Sequence, residues 1–190
     1  MATTLKQQEA IPASYPAVTP YEHWSDPSGL NGSFGHIENI EPGVIWQRME
    51  SWIAYRWGER AVTWTVEGGG EWQAPLYPAT ITTFEIWEND AWAEVSLTAG
   101  PYGGLCTTEG ETYRITATVG TSDDPPAAIV EAWRRLHEYS RGIAEQFHDE
   151  FADIESHGRT RIAAFAAKAI SLSGAADLLK PYRRPGNVAI

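Results

Sequence analysis

The chain has 190 residues, of which 43% are hydrophobic, and a formal net charge of −11 at pH 7. This length predicts one domain with a single core, and the excess of acid excludes the ordinary wrapping of nucleic acid by Lys and Arg. The single cysteine, Cys106, leaves no internal disulfide and no CxxC metal site. The first residues lack an apolar signal region and no run approaches the ~20 apolar residues of a membrane span, so we expect a soluble protein made in a reducing cytoplasm.

Acidic and basic residues are distributed unevenly along the chain. Residues 1–156 hold 24 acids and 8 bases, whereas residues 157–190 hold 1 acid and 6 bases. An acidic body with a basic tail predicts two surfaces with different partners. The alternative interpretation is that the acids of the body only solvate its surface.

The first 41 residues have no apolar period and contain several prolines, which predicts an extended or irregular N-terminal arm. Aromatic side chains at Tyr15, Tyr21, Trp24 and Phe34 either anchor this arm to a neighbouring surface or remain idle. Pro42 then opens a first helix whose apolar stripe continues to Trp57, with an end near Gly58.

From residue 60 to residue 120 the chain has the composition of strands and turns. Segments such as RAVTWTV, ATITTFEIW and TYRITATV are rich in β-branched and aromatic residues, and Gly-rich turns separate them. Pro75 and Pro78 predict an edge strand or a break. The fold class is therefore predicted to be α+β, with a small antiparallel sheet inserted between two main helices.

The second main helix is predicted from Pro125 to about Phe151, with Ser122, Asp123 or Asp124 as its cap. Near its end, Glu145, His148 and Asp149 share one face, which fits either a metal site or a solvated acidic helix end. No second motif completes a metal shell, so we predict no metal and no cofactor.

The remaining chain is predicted to form an Ala-rich helix at residues 160–170 and a short helical turn that Ser173 caps and Pro181 ends. The last residues are expected to be free unless a partner orders them. The predicted segments are thus an arm at 1–41, a core at 42–156, and a helical, basic tail at 157–190.

The nine tryptophans include seven between Trp46 and Trp92. They are predicted to fill a core or to anchor subunit interfaces, and a sugar-stacking platform is a third interpretation. The sequence has no nucleotide-binding loop and no nucleophile elbow. This pattern favours a structural role over an enzyme.

Several short motifs follow one another in a recognisable order. They are formed by Pro75, Pro78, 113–120, Pro125, Pro126, Ile129, Ala132 and Leu136, and by the closing SGAADLLKPYRRPG. These motifs and the order of elements resemble the head–tail connector (adaptor) proteins of long-tailed bacteriophages and of the related gene transfer agents. The resemblance covers residues 42–150 and the tail at 173–186, whereas the N-terminal arm and residues 160–170 depart from shorter members.

The resemblance implies a ring, usually of twelve copies, that joins the portal protein to a stopper or other tail protein of a virus-like particle. Double-stranded DNA passes through the bore without specific binding, and no membrane is involved. Two sets of residues are predicted to serve these contacts. The bore-lining acids are Glu138, Glu145, Asp149 and Asp153, and the portal-docking residues are Leu178, Leu179, Lys180, Tyr182, Arg183 and Arg184.

Other interpretations remain open from the sequence. The first is another ring of the same neck, either a stopper or a tail terminator. The second is a Trp-rich domain that binds a small ligand or a sugar, and the third is an enzyme that uses the scattered carboxylates and His148.

Overall fold

The structure is a computed structural model that describes residues 2–21, 40–149 and 168–183, with the side chains of residues 144–149 left outside the description. The chain forms two compact units, Met1–Ser14 with Ala54–Asp123, and Tyr15–Ile53 with Asp124–Ile190. The first contains the strands and the second the helices. The predicted α+β class with a small antiparallel sheet is therefore confirmed. The predicted arm contributes to both units.

The first unit contains a five-stranded antiparallel sheet in the order β1-β2-β7-β4-β5. A two-stranded ribbon, β3-β6, accompanies it. The strand bounds are β1 Thr3–Glu9, β2 Arg60–Glu67, β3 Gly70–Trp72, β4 Ala79–Glu88, β5 Ala91–Glu94, β6 Leu105–Thr107 and β7 Thr112–Val119.

Strict alternation along β2 and β7 places one face of this sheet in the core. Residues 62, 64 and 66 of β2 are buried together with every second residue of β7 from Tyr113 to Val119. The intervening threonines lie on the opposite face, since successive side chains of a strand point to opposite sides. Trp72 of the ribbon and Leu76 close the core over the buried face.

Strand β1 lies within the predicted arm and pairs with β2 along its whole length, with a bulge at Leu5. The sequence gives little sign of it because TTLKQQE has no apolar alternation. Its side chains are instead hydrogen-bonded to buried tryptophans: Trp64 Nε1 donates to Gln7 Oε1 at 2.9 Å, and Trp72 Nε1 donates to Thr4 Oγ1 at 2.9 Å. These contacts satisfy indole donors that burial would otherwise leave unpaired.

The helical unit consists of two main helices and a short C-terminal helical segment. The bounds are α1 Pro42–Trp52, α2 Ala127–Asp149, α3 Ala169–Leu172, α4 Ala175–Leu179 and a 3-10 turn at Lys180–Tyr182. Helix α1 packs on α2, and α4 packs on the same helix. The fully buried side chains include Ile45, Trp46 and Met49 of α1, Ile129, Trp133 and Leu136 of α2, and Leu179 of α4.

Helix α1 ends earlier than the apolar stripe predicts. Ile53 is extended, with φ −119° and ψ 161°, and its amide donates the last bond to Met49 O at 3.2 Å. Tyr55 and Trp57 then form bridges with Tyr77 and Thr121 within the sheet unit. The apolar pattern of the sequence therefore continues past the end of α1, because Tyr55 and Trp57 pack in the sheet unit and do not form a further helical turn.

Candidate interaction surfaces

The predicted portal-docking segment is ordered against its own chain. Ala175 and Leu179 are fully buried, and α4 rests on α2. Gly174 joins α3 to α4 with φ +73°, a conformation that favours glycine, and the Arg183 guanidinium stacks 4.5 Å from the ring centre of Trp52. The short helical turn predicted between Ser173 and Pro181 is therefore present, and its apolar side chains contribute to the helical core. The last residues, which are expected to be free, lie outside the description from residue 184 onward.

The docking residues consequently differ in what they offer a partner. Lys180 and Arg183 are exposed, whereas Leu178 and Tyr182 are half-buried. The Leu179 side chain is used internally, so it is removed from the predicted docking set. Arg184 lies outside the described residues. The described docking residues therefore offer two exposed cations and two half-buried apolar or aromatic side chains, next to the exposed Asp177.

The predicted bore acids are only partly covered by the structure. Glu138 is half-buried on α2, and Arg141 Nη2 donates to its Oε1 at 2.9 Å. The i, i+3 spacing of this pair is visible in the sequence and places the two side chains on the same face of the helix. Glu145 and Asp149 belong to α2, their side chains lie outside the description, and Asp153 lies outside the described residues.

The tyrosines of the arm anchor it to the helices of the same unit. The Tyr15 ring stacks on Trp46 with ring centres 6.1 Å apart, and Trp46 Nε1 donates to Pro16 O at 3.1 Å. Further along, the Tyr21 hydroxyl donates to Glu131 Oε1 at 2.8 Å. Trp24 and Phe34, the other two predicted anchors, lie outside the described residues.

Negative charge dominates the sheet unit. Its residues, Met1–Ser14 and Ala54–Asp123, include eleven acids and four bases, a net charge of −7. Its three arginines, Arg56, Arg60 and Arg114, are all ion-paired within the unit. The remaining base, Lys6, is exposed on β1. Most carboxylates of this unit therefore face solvent without a neutralising cation.

Two of these arginines are held by one carboxylate. Glu9 Oε1 accepts from Arg56 Nε at 2.7 Å and from Arg60 Nη1 at 3.2 Å, and the two arginine side chains are only 10% and 4% exposed. Arg60 also donates to the carbonyls of Trp57 and Gly58. This cluster fixes the end of β1 to Arg56 and to the start of β2. The sequence gives no local signal for it, because Glu9 precedes the two arginines by about fifty residues.

The β4–β5 hairpin presents an aromatic pair at the edge of the sheet. Asn89 and Asp90 form its two-residue turn with φ of 49° and 60°, as a type I′ hairpin requires. Trp87 and Trp92 are opposite each other with ring centres 5.1 Å apart, and Trp87 is 43% exposed. The Arg114 guanidinium lies 4.7 Å from the Trp92 ring centre. The hairpin therefore combines an exposed indole with nearby carboxylates.

Arg114 also binds Glu85 directly across the strand pair, with Nε donating to Oε2 at 2.6 Å. These hydrogen bonds hold the pKa of the Glu85 carboxyl below its ordinary value of 4.5. A carboxylate whose pKa is lower in the folded than in the unfolded state stabilises the fold at neutral pH, and that contribution is lost as the pH falls through the folded pKa.

Acidification from about pH 6 to about pH 3 lowers the free energy of unfolding, and we expect this decrease to be smaller in Glu85→Gln than in the wild type. Urea unfolding at several pH values measures this loss. Glu88→Gln is the matched control, because Glu88 is exposed on the same strand. An equal acid sensitivity of the two variants would contradict the role of the Glu85–Arg114 pair.

Within the described ranges, no group of three His, Cys, Asp or Glu side chains is placed to hold a metal ion. The side chains of Glu145, His148 and Asp149 fall outside that search. Across those ranges, no helix is long and apolar enough to cross a membrane.

Six of the nine tryptophans serve the cores or lie against them. Trp46, Trp57, Trp64, Trp72 and Trp133 are buried, and Trp52 is covered by Arg183. Trp87 and Trp92 are the described indoles that remain at a surface edge.

Comparison of this chain with protein-family models, with curated proteins and with solved structures finds no match.

Proposed function

We propose that this protein is a structural head–tail connector that forms a ring between the portal and the stopper or other tail protein of a phage or phage-like particle. In this proposal α1, the sheet and α2 form the connector core, and DNA passes through the bore of the ring. The observation that carries the proposal furthest is the separation of charge. The sheet unit has a net charge of −7, whereas the described C-terminal segment exposes three cations, Lys168, Lys180 and Arg183, and one acid, Asp177.

This separation suits a conduit better than a binding protein for nucleic acid. Phosphates are attracted by Lys and Arg, and their binding weakens with each cation that is missing from the contact. A passage for DNA needs weak contacts, so that the duplex slides without being held. A surface rich in carboxylates and poor in exposed cations provides such contacts.

The bore is assigned in this proposal to the acids near the end of α2 and in the chain that follows it. This assignment rests on the resemblance alone, because the net charge of −7 belongs to the sheet unit and the described side chains of α2 include two acids and three bases. Because Glu138 is paired with Arg141, its charge is locally compensated, and Glu145, Asp149 and Asp153 are the better sites to test. Glu145→Lys combined with Asp149→Lys is expected to slow DNA packaging or ejection, since the new cations bind phosphates. Particle assays of packaged and released DNA measure this effect. Transit equal to that of a Glu109→Lys control would remove the assignment.

The portal contact is assigned to the exposed side of the C-terminal segment. Lys180 and Arg183 are its described cations, with Leu178 and Tyr182 as half-buried neighbours. Deletion of residues 173–190 is a poor test, because it also removes the buried Ala175 and Leu179. Charge reversal keeps the buried Ala175 and Leu179 in place, but Arg183→Glu also removes the guanidinium that stacks on Trp52, so the unfolding free energy of the variant is measured together with binding.

Lys180→Glu combined with Arg183→Glu is therefore expected to weaken binding to the portal protein of the same genome at least about tenfold, because both reversed charges lie in the contact. Co-purification and a titration of the two proteins measure this loss. Lys168→Glu is the matched control, since Lys168 is exposed in the same segment but outside the docking residues. Equal binding by the double variant and this control would refute the portal assignment.

Another ring of the neck, a stopper or a tail terminator, is the nearest alternative. The position of a label along the particle axis in electron micrographs separates it from a connector.

A domain that binds a sugar is favoured by one observation, the exposed Trp87 beside carboxylates. Quenching of tryptophan fluorescence by sugars, with loss of that signal in Trp87→Ala, would support it.

A further inference from the structure

We propose that copies of this chain associate edge to edge through their sheets, with the β5 edge of one copy against the β1 edge of the next. This inference rests on the proposed ring and names the surface that joins its subunits. The order β1-β2-β7-β4-β5 leaves β1 and β5 with one open side each among the described strands. An open edge presents unpaired backbone N–H and C=O groups, which favour pairing with another strand.

Both edges are exposed and neither carries a proline. Residues 5–8 of β1 are exposed, as are Ala91, Ala93 and Glu94 of β5. Beyond the bulge at Leu5, the four residues Lys6–Glu9 pair regularly with β2, and β5 also has four residues. The regular part of one edge therefore matches the other edge in length.

Apolar side chains lie at both edges. Leu5 is 59% exposed on β1, Ile11 just beyond it is 83% exposed, and Trp87 is 43% exposed beside β5. An exposed apolar side chain at an open strand edge can be buried when a second strand pairs there, and tryptophan is among the residues enriched at binding hot spots. If Trp87 of one copy packs against Leu5 or Ile11 of another copy, the two side chains in contact are removed from water.

Charge complementarity identifies the partner as the opposite edge. Lys6 is the exposed cation of the β1 edge, because Arg56 and Arg60 are nearly buried and already paired with Glu9. The hairpin side carries the exposed carboxylates Glu88, Asp90 and Glu94. Contact between two β5 edges would oppose like charges, so unlike edges are the favoured pair.

The direction of the strands fixes the geometry of this contact. All four neighbouring pairs of the sheet are antiparallel, so β1 and β5 run in the same direction. Head-to-tail repetition then makes the new pair parallel. Such a contact between different surfaces produces rings when it closes, whereas contact between like edges produces a two-fold dimer.

A carbodiimide that joins an amine directly to a carboxylate tests this contact on the full chain. Four inter-strand steps separate Lys6 from β5, which is about 19 Å, so a bond between them within one copy is excluded. We expect the assembled fraction, alone or with the portal protein, to yield peptides that link Lys6 to Glu88, Asp90 or Glu94. Lys6→Arg keeps the charge and the assembly but removes the link.

Charge reversal provides a second measurement. Lys6→Glu and Glu94→Lys are each expected to weaken assembly at least about tenfold, and the two changes combined in one chain are expected to restore it. Four results would each overturn the inference. They are assembly without the Lys6 link, links between two β1 peptides, unchanged assembly of the single variants, and a chain that remains a monomer. A ring that binds portal without the link refutes the edge contact alone, and a linked assembly that never binds portal refutes the connector alone.

Discussion

Replacement of Glu9 by alanine is expected to lower the free energy of unfolding by about 3 kcal/mol, because it leaves two nearly buried guanidinium groups without their carboxylate. The Glu9 side chain is 20% exposed, whereas those of Arg56 and Arg60 are 10% and 4% exposed. The carbonyls of Trp57 and Gly58 continue to accept from Arg60 but provide no negative charge. Urea or thermal unfolding measures the loss.

Two variants make the Glu9 experiment specific. Glu9→Gln keeps one acceptor oxygen but loses the charge and the second acceptor, and is expected to fall between the wild type and Glu9→Ala. Glu59→Ala removes an exposed acid next to Arg60 in the sequence and is expected to change the unfolding free energy by less than about 0.5 kcal/mol. Similar stabilities of Glu9→Ala and Glu59→Ala would mean that the cluster does not hold β1 in place.

Trp64→Ala is expected to cost about 4 kcal/mol of unfolding free energy, as large-to-small changes of buried aromatic residues do. Trp64 is fully buried, its ring centre lies 5.3 Å from that of Trp72, and its Nε1 donates to Gln7 of β1. The substitution therefore opens a cavity in the sheet core and removes a contact that holds the N-terminal strand. Unfolding in denaturant measures the change.

Trp87→Ala is the matched comparison, because Trp87 is 43% exposed and packs against Trp92 at the edge. We expect a cost of about 1 kcal/mol or less, since only the aromatic pair and a partly buried surface are lost. A large loss of assembly with little loss of stability would fit a tryptophan that serves an interface. Equal destabilisation by the two substitutions would contradict the assignment of Trp64 to the core and Trp87 to the surface.

Elements with strong periodicity were predictable from the sequence. The alternating segments RAVTWTV and TYRITATV form β2 and β7, and the apolar repeat after Pro126 forms α2, whose first amides donate to Pro126 O. Pro42 opens α1 as predicted. In each case the local pattern agrees with the burial that the fold imposes, so local and tertiary preferences point to the same structure.

The rest depended on contacts between distant parts of the chain. Strand β1 is polar, and its place in the sheet depends on the cluster at Glu9 and on hydrogen bonds from Trp64 and Trp72. The C-terminal segment has a predictable helical turn, but the sequence does not show that Leu179 is buried in a core with residues such as Met49 and Leu136, which precede it by more than forty positions. Periodicity carries no information about such pairings, because they are determined by tertiary packing.

The most direct test of the account is the mass of the species that the chain forms alone and with the portal protein of the same genome, measured by light scattering or native mass spectrometry. A connector is expected to form a complex that contains many copies of the 21.0 kDa chain once portal is present. A chain that stays at 21.0 kDa under both conditions would contradict it.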